Sequence, residues 1–187
     1  SVKDQESIRR LEEIFWEEIP QICCRKIFSD VVTVGGEQKA EAIRQIIKKL
    51  DATLAGSIYV GDSITDVEAF QLIRQSGGLT ISFNGNRYAV KNAEVAVLSE
   101  NNLVTAVLAE VFLKHGKARA LQLIENWNAE SLKNSSIDSN ILNRLFLLYP
   151  KALPKVQIVT PENMESLSNE SNDYRKKVRG EAVGKLG

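Results

Sequence analysis

Histidine, cysteine and methionine are all scarce in this chain of 187 residues, and each scarcity narrows what it can do. The single histidine, His115, stands beside Gly116 late in a helical pattern and has no cysteine or serine partner in a recognisable triad, which argues against a catalytic role for it. The two cysteines, Cys23 and Cys24, are adjacent. Neighbouring cysteines rarely bridge without backbone strain, and they match neither a spaced zinc pattern nor a disulfide framework. Buried small hydrophobes in a reducing, cytoplasmic setting are the expectation for them. The only methionine is Met164 and the chain opens Ser1-Val2-Lys3-Asp4. A start inside a longer protein is expected from this, although a trimmed initiator methionine would look the same.

Charge of one sign is also missing, since 24 basic residues balance 24 acidic ones. No net field draws the chain to nucleic acid or anionic lipid, so any recognition of phosphate must come from a local site. No apolar run is long enough to span a bilayer, and the start lacks the basic-then-apolar layout of a signal peptide. Neither nucleic acid nor membrane is an expected partner. With 43% hydrophobic and 26% charged residues, the composition suits one ordinary core.

The patterning predicts an α/β fold. Residues Asp4–Ile19 place Ile8, Leu11, Ile14, Phe15 and Ile19 on one helical stripe that needs a partner. Arg25–Val34 is rich in β-branched residues and reads as extended, stopping at Gly35-Gly36. A helix over about Glu37–Leu50 follows, with Ile43, Ile46, Ile47 and Leu50 toward the core. Ser57–Val60, Gly78–Phe83 and Glu94–Leu98 read as strands separated by helical segments, the arrangement of a parallel sheet with helices on both faces. In such sheets ligands sit at the carboxyl ends of the strands. From Asn101 the pattern is helical through Trp127 and again over Ile137–Tyr149, and a polar tail after Thr160-Pro161-Glu162 is either exposed or docked on another surface.

Two segments carry candidate chemistry. In Ser57-Ile58-Tyr59-Val60-Gly61-Asp62-Ser63-Ile64-Thr65-Asp66 a strand delivers Asp62 to its carboxyl end, and a helical turn returns Asp66 to the same side. Paired carboxylates there suit Mg²⁺, which takes oxygen ligands and commonly binds one or two carboxylates plus a substrate phosphate. The alternative is that Asp62 or Ser63 caps the helix while Asp66 favours its positive end. The second segment is Gly35-Gly36-Glu37-Gln38-Lys39-Ala40. Lys39 in a first helical turn opposes the macrodipole, and an anion is its obvious partner; an ordinary solvated lysine is the other reading.

Together the two segments resemble the haloacid dehalogenase superfamily, whose third motif is a lysine at a helix start and whose fourth is a strand ending in Gly-Asp-x-x-x-Asp. The resemblance runs from about Val34 to Phe112, and Ile81-Ser82-Phe83-Asn84-Gly85-Asn86 is similar to the following strand and loop of that family's small-molecule phosphatases. It implies a Rossmann-like core, here partial, with a helical C-terminal extension. It also implies a phosphohydrolase acting on a small phosphorylated metabolite through an aspartyl-phosphate, with Asp62 holding Mg²⁺, Asp66 assisting or orienting ligands, and Lys39 neutralising nucleophile and phosphate. A non-catalytic binding or assembly module of the same family is the alternative function.

The family's first motif, an apolar strand ending Asp-x-Asp, and its second cannot be placed. Phe28-Ser29-Asp30-Val31 resembles the first only superficially, so the nucleophile is expected outside this chain. The expected divisions are 1–29 as the remnant of a cap, 30–112 as the core and 113–187 as the extension. A missing N-terminal part or a symmetry mate is expected to cover the open sheet edge. The basic cluster Tyr174-Arg175-Lys176-Lys177-Val178-Arg179 reads as a solvated tail rather than a nucleic-acid contact.

Overall fold

The computed structural model describes residues 2–21 and 34–180, and the chain divides into two units, Ser1–Val34 and Gly35–Gly187. In the first, α1 (Val2–Glu12) runs on through a π-helical turn, Glu13–Glu18, to a 3₁₀ turn, Ile19–Gln21. Ile8, Leu11 and Phe15 of the predicted stripe are more than half exposed, as is Trp16 at 78%. Arg10 bridges Glu13 and Glu18 along the helix surface. The strand expected over Arg25–Val34 falls, except for the irregular Val34, outside the described residues, as do Cys23, Cys24 and Asp30.

The second unit is built on a four-stranded sheet in the order β1 (Ile58–Gly61), β2 (Leu79–Phe83), β3 (Val95–Leu98), β4 (Lys155–Ile158). The first three strands are parallel, with Ile58 opposite Leu79 and Ile81 opposite Val95. Helices α3 (Val67–Gln75) and α4 (Arg87–Asn92) make the two crossovers. Alternation along β2 and β3 sends Leu79, Ile81, Val95 and Val97 into one core with α5 (Leu103–Glu125) and α7 (Ser139–Leu148). Ala96 points the other way, onto Val90 of α4 and Leu167 of α8 (Met164–Arg179). Burial on both faces explains why these strands read as short continuous apolar runs.

Strand β4 has no counterpart in the sequence reading. It pairs antiparallel with β3, Val95 opposite Ile158 and Val97 opposite Val156, and its alternating Lys155-Val156-Gln157-Ile158 is too short to stand out between two prolines. Together with Ala120, Leu123, Leu132, Leu142 and Leu145, Val156 belongs to the same core as β2 and β3. The C-terminal region is therefore an integral part of this unit, and the division expected at residues 112 and 113 falls inside α5. That helix bends at Gly116, whose φ of 78° only glycine adopts without cost. A short helix, α6 (Ala129–Lys133), links it to α7.

Helix α2 (Gly36–Lys49) lies against α3 and the 3₁₀ turn Ile64–Asp66. Its buried stripe is narrow. Ala40 is buried and Ile43 and Ile47 are partly so, whereas Ile46 and Leu50, expected to face the core, are 54% and 69% exposed. Among the described residues β1 pairs on one side only, with β2, and no helix is long and apolar enough to cross a membrane.

Candidate functional site

The site lies at the carboxyl end of β1. Gly61 ends the strand, and a Cβ there would fall 2.6 Å from Cγ of Asp66, so only glycine lets the Asp66 carboxylate tuck beneath the strand end. The chain then turns through Ser63 into the 3₁₀ turn, with the Asp66 N–H donating to the Ser63 carbonyl at 3.1 Å. Asp66 is thereby folded back and 4% exposed.

Both oxygens of Asp66 are filled. Oδ1 accepts from Lys39 Nζ at 2.7 Å and from the Tyr59 hydroxyl at 2.8 Å. Oδ2 accepts from the backbone N–H groups of Asp62 and Ser63, each at 3.0 Å, and from Ser63 Oγ at 3.1 Å. Burial alone would raise the carboxyl pKa. The Lys39 hydrogen bond, with those from the Asp62 amide, Tyr59 and the Ser63 amide, overrides it and lowers the pKa to about 2. The Tyr59 hydroxyl shifts upward, first through burial and then through its bond to this carboxylate. Its ring packs edge-on against Phe70 with centroids 5.4 Å apart.

Lys39 comes from the first turn of α2 and also donates to Thr65 Oγ1 at 2.9 Å. Its head is 28% exposed at the same strand end. Cation and carboxylate from segments 27 residues apart are thus brought together. Asp66 thus takes up amides of the turn through Oδ2, as the capping alternative places it, and pairs with Lys39 through Oδ1.

Asp62 is engaged differently. Its Oδ2 accepts from Arg175 and forms an ion pair with Arg179 at 2.9 Å, both on α8. Arg175 is 3% exposed and also donates to the carbonyls of Asp62 at 3.1 Å and Asn84 at 3.3 Å. Ser171, one turn earlier, donates to the Gly85 carbonyl at 2.7 Å. The loop after β2 is tied to the same place, since the Asn86 N–H donates to the Asp62 carbonyl at 2.8 Å. The Asn86 side chain caps α4 through Tyr88 N and Ala89 N.

The basic cluster expected to be a solvated tail is therefore split by function. Arg175 and Arg179 reach the site, while Lys176 pairs with Asp173 and Lys177 with Glu100 on the surface. These arginines and Tyr59 are the site residues that sequence reasoning missed, whereas Ser63, expected as an alternative cap, is the N-cap of the 3₁₀ turn. A signal for the arginines does exist: Leu167, Ser171, Arg175 and Arg179 recur every four residues, the spacing of a helix face docked on something. His115 is exposed, and among the described residues no group of three or more histidine, cysteine, aspartate or glutamate side chains could hold a metal ion.

The donor set, as paired here, does not suit Mg²⁺. A carboxylate offers about four lone-pair positions, and Asp66 already accepts five hydrogen bonds. Asp62 holds two guanidinium groups on one oxygen.

No protein-family model matches this chain, and no curated protein does. Among solved structures it is similar to gene product AF1437 from Archaeoglobus fulgidus, with 28% sequence identity and a TM-score of 0.65. The match covers 97% of this chain and 49% of the archaeal one, so the chain spans about half the length of the structure it matches.

Proposed function

We propose that this chain supplies the lysine–aspartate half of a phosphohydrolase centre of the haloacid dehalogenase type, acting on a small phosphorylated metabolite. One observation carries the reading: the Lys39 ammonium meets Asp66 at 2.7 Å at the carboxyl end of a parallel strand, where ligands of such sheets bind. The half-length match to a larger protein supports a centre completed from outside the chain.

In this reading a carboxylate from outside the chain attacks the phosphorus, the alcohol of the metabolite leaves, and water then hydrolyses the acyl phosphate to release phosphate and restore the carboxylate. Asp66 is a positioning residue. It holds Lys39 while its own charge is neutralised, and the partly exposed ammonium balances charge on the nucleophile and the transferring phosphoryl group. No step is routed through Mg²⁺.

The test is to combine this chain with the polypeptide that supplies the nucleophile and measure phosphate release from a generic phosphomonoester. Turnover only in the combined protein, falling at least about a hundredfold in Lys39→Ala, is the expected outcome. Turnover by this chain alone, lost in Lys39→Ala, would refute the assignment of the nucleophile elsewhere. A second reading, a non-catalytic binding or assembly module, is favoured by the double arginine pairing of Asp62. It predicts that the combined protein binds inorganic phosphate without turnover.

A further inference from the structure

We infer that Arg175 and Arg179 are the resident counter-ions of Asp62, standing where a divalent cation would otherwise neutralise it, so that α8 decides whether this crevice accepts a metal ion. The argument begins with charge. A lone carboxylate at a strand end attracts a cation, whereas here two guanidinium groups meet Asp62 Oδ2, so the pair already exceeds the carboxylate in charge. A further divalent ion would sit beside two fixed positive charges within a few ångströms and would be repelled by both.

The arrangement is built rather than incidental. Basic residues in the last turn of a helix are favoured by its macrodipole whatever they touch, and Lys176 and Lys177 fit that description by facing surface acids. Arg175 does not. Its side chain is 4% exposed, and its guanidinium spans the Asp62 carboxylate, the Asp62 carbonyl and the Asn84 carbonyl, joining the loops that follow β1 and β2. Ser171 on the same face adds the bond to Gly85. Leu167 anchors the helix in the core beneath Val90 and Ala96. Arg179, at 38% side-chain exposure, closes the outer side of the carboxylate. The C-terminal helix thus completes the crevice with positive charge, and the ligand class it admits first is an anion.

The inference takes Asp62 as the candidate cation ligand that the sequence resemblance implies, does not depend on the proposed turnover, and its test needs none. Mn²⁺ is titrated into the full chain and free Mn²⁺ followed by electron paramagnetic resonance, for the unaltered protein, Arg179→Ala, Arg179→Lys and Arg179→Ala/Asp62→Asn. The expected result is weak binding by the unaltered chain and by Arg179→Lys, and a gain of at least about tenfold in Arg179→Ala that Asp62→Asn removes. Arg179 is partly exposed, so its substitution tests charge without opening the core. Micromolar Mn²⁺ binding by the unaltered chain that depends on Asp62 would overturn the inference. So would a folded Arg179→Ala with unchanged affinity.

Discussion

At the scale of single residues, Asp66 concentrates the most consequences. Its pKa of about 2 lies below the ordinary aspartate value of roughly 3.9, so the folded state holds the charged form more tightly than the unfolded chain does. The corresponding stability, about 2 kcal/mol, is fully present above pH 4 and is lost as pH falls through about 2. Urea unfolding between pH 7 and pH 2 should show this loss in the native chain and lack it in Asp66→Asn. Asp66→Asn should also release Lys39 and lower stability at pH 7 by about 2–3 kcal/mol, since one oxygen of the amide becomes a donor facing other donors. Gly61→Ala tests the same packing from the strand side. A Cβ 2.6 Å from Asp66 Cγ cannot be accommodated without displacing the carboxylate, so about 1–3 kcal/mol of destabilisation is expected, read as a lower midpoint in urea.

At the scale of elements, α8 is the part whose role changed most between sequence and structure. A helix this polar has little apolar area to hold it, and only Leu167, Ser168, Ser171 and Arg175 are buried. Its attachment therefore depends on the Arg175 pairing as much as on hydrophobic contact. Arg175→Met, which keeps much of the side-chain volume, should cost about 2–4 kcal/mol by removing a buried partner of Asp62 and of two carbonyls. Leu167→Ala should cost a similar amount, about 2–4 kcal/mol, through the cavity left between α4 and β3. Hydrogen exchange distinguishes them. Arg175→Met should speed exchange at the end of α8 and in the loop around Asn84, and Leu167→Ala should loosen α8 from its start.

At the scale of the whole molecule, β1 is the terminal strand of the sheet among the described residues. Among the described residues its backbone pairs only with β2, although it carries the site at its end. Open edges beside apolar faces recruit other strands. We propose that the polypeptide that completes the proposed centre pairs with this edge. The amides of Ile58–Gly61 that point away from β2 should exchange within seconds to minutes in this chain alone and become protected when that polypeptide is added. Unchanged exchange on addition would leave the edge without the proposed partner.

The sequence by itself determined the parts whose signal is local. Three parallel strands, the helices between them, the turn at Gly61-Asp62 and the placement of Lys39 at a helix start follow from periods of 2 and 3.6 and from turn residues a few positions apart. That Lys39 and Asp66 share one strand end was legible because consecutive strand, turn and helix units leave few ways to arrange them. Only the tertiary structure decided the remainder. Strand β4 exists because β3 offers it an edge, not because Lys155–Ile158 favours extension by itself. The solvent-facing side of Ile46 and Leu50 depends on how little of α2 the rest of the unit covers. Arg175 and Arg179 lie 113 and 117 positions beyond Asp62 in the chain, and no local pattern links a basic helix end to a distant carboxylate. That link required α8 to dock across α4 and β3, and docking is settled by burial and pairing summed over the whole core rather than by any segment's own preference.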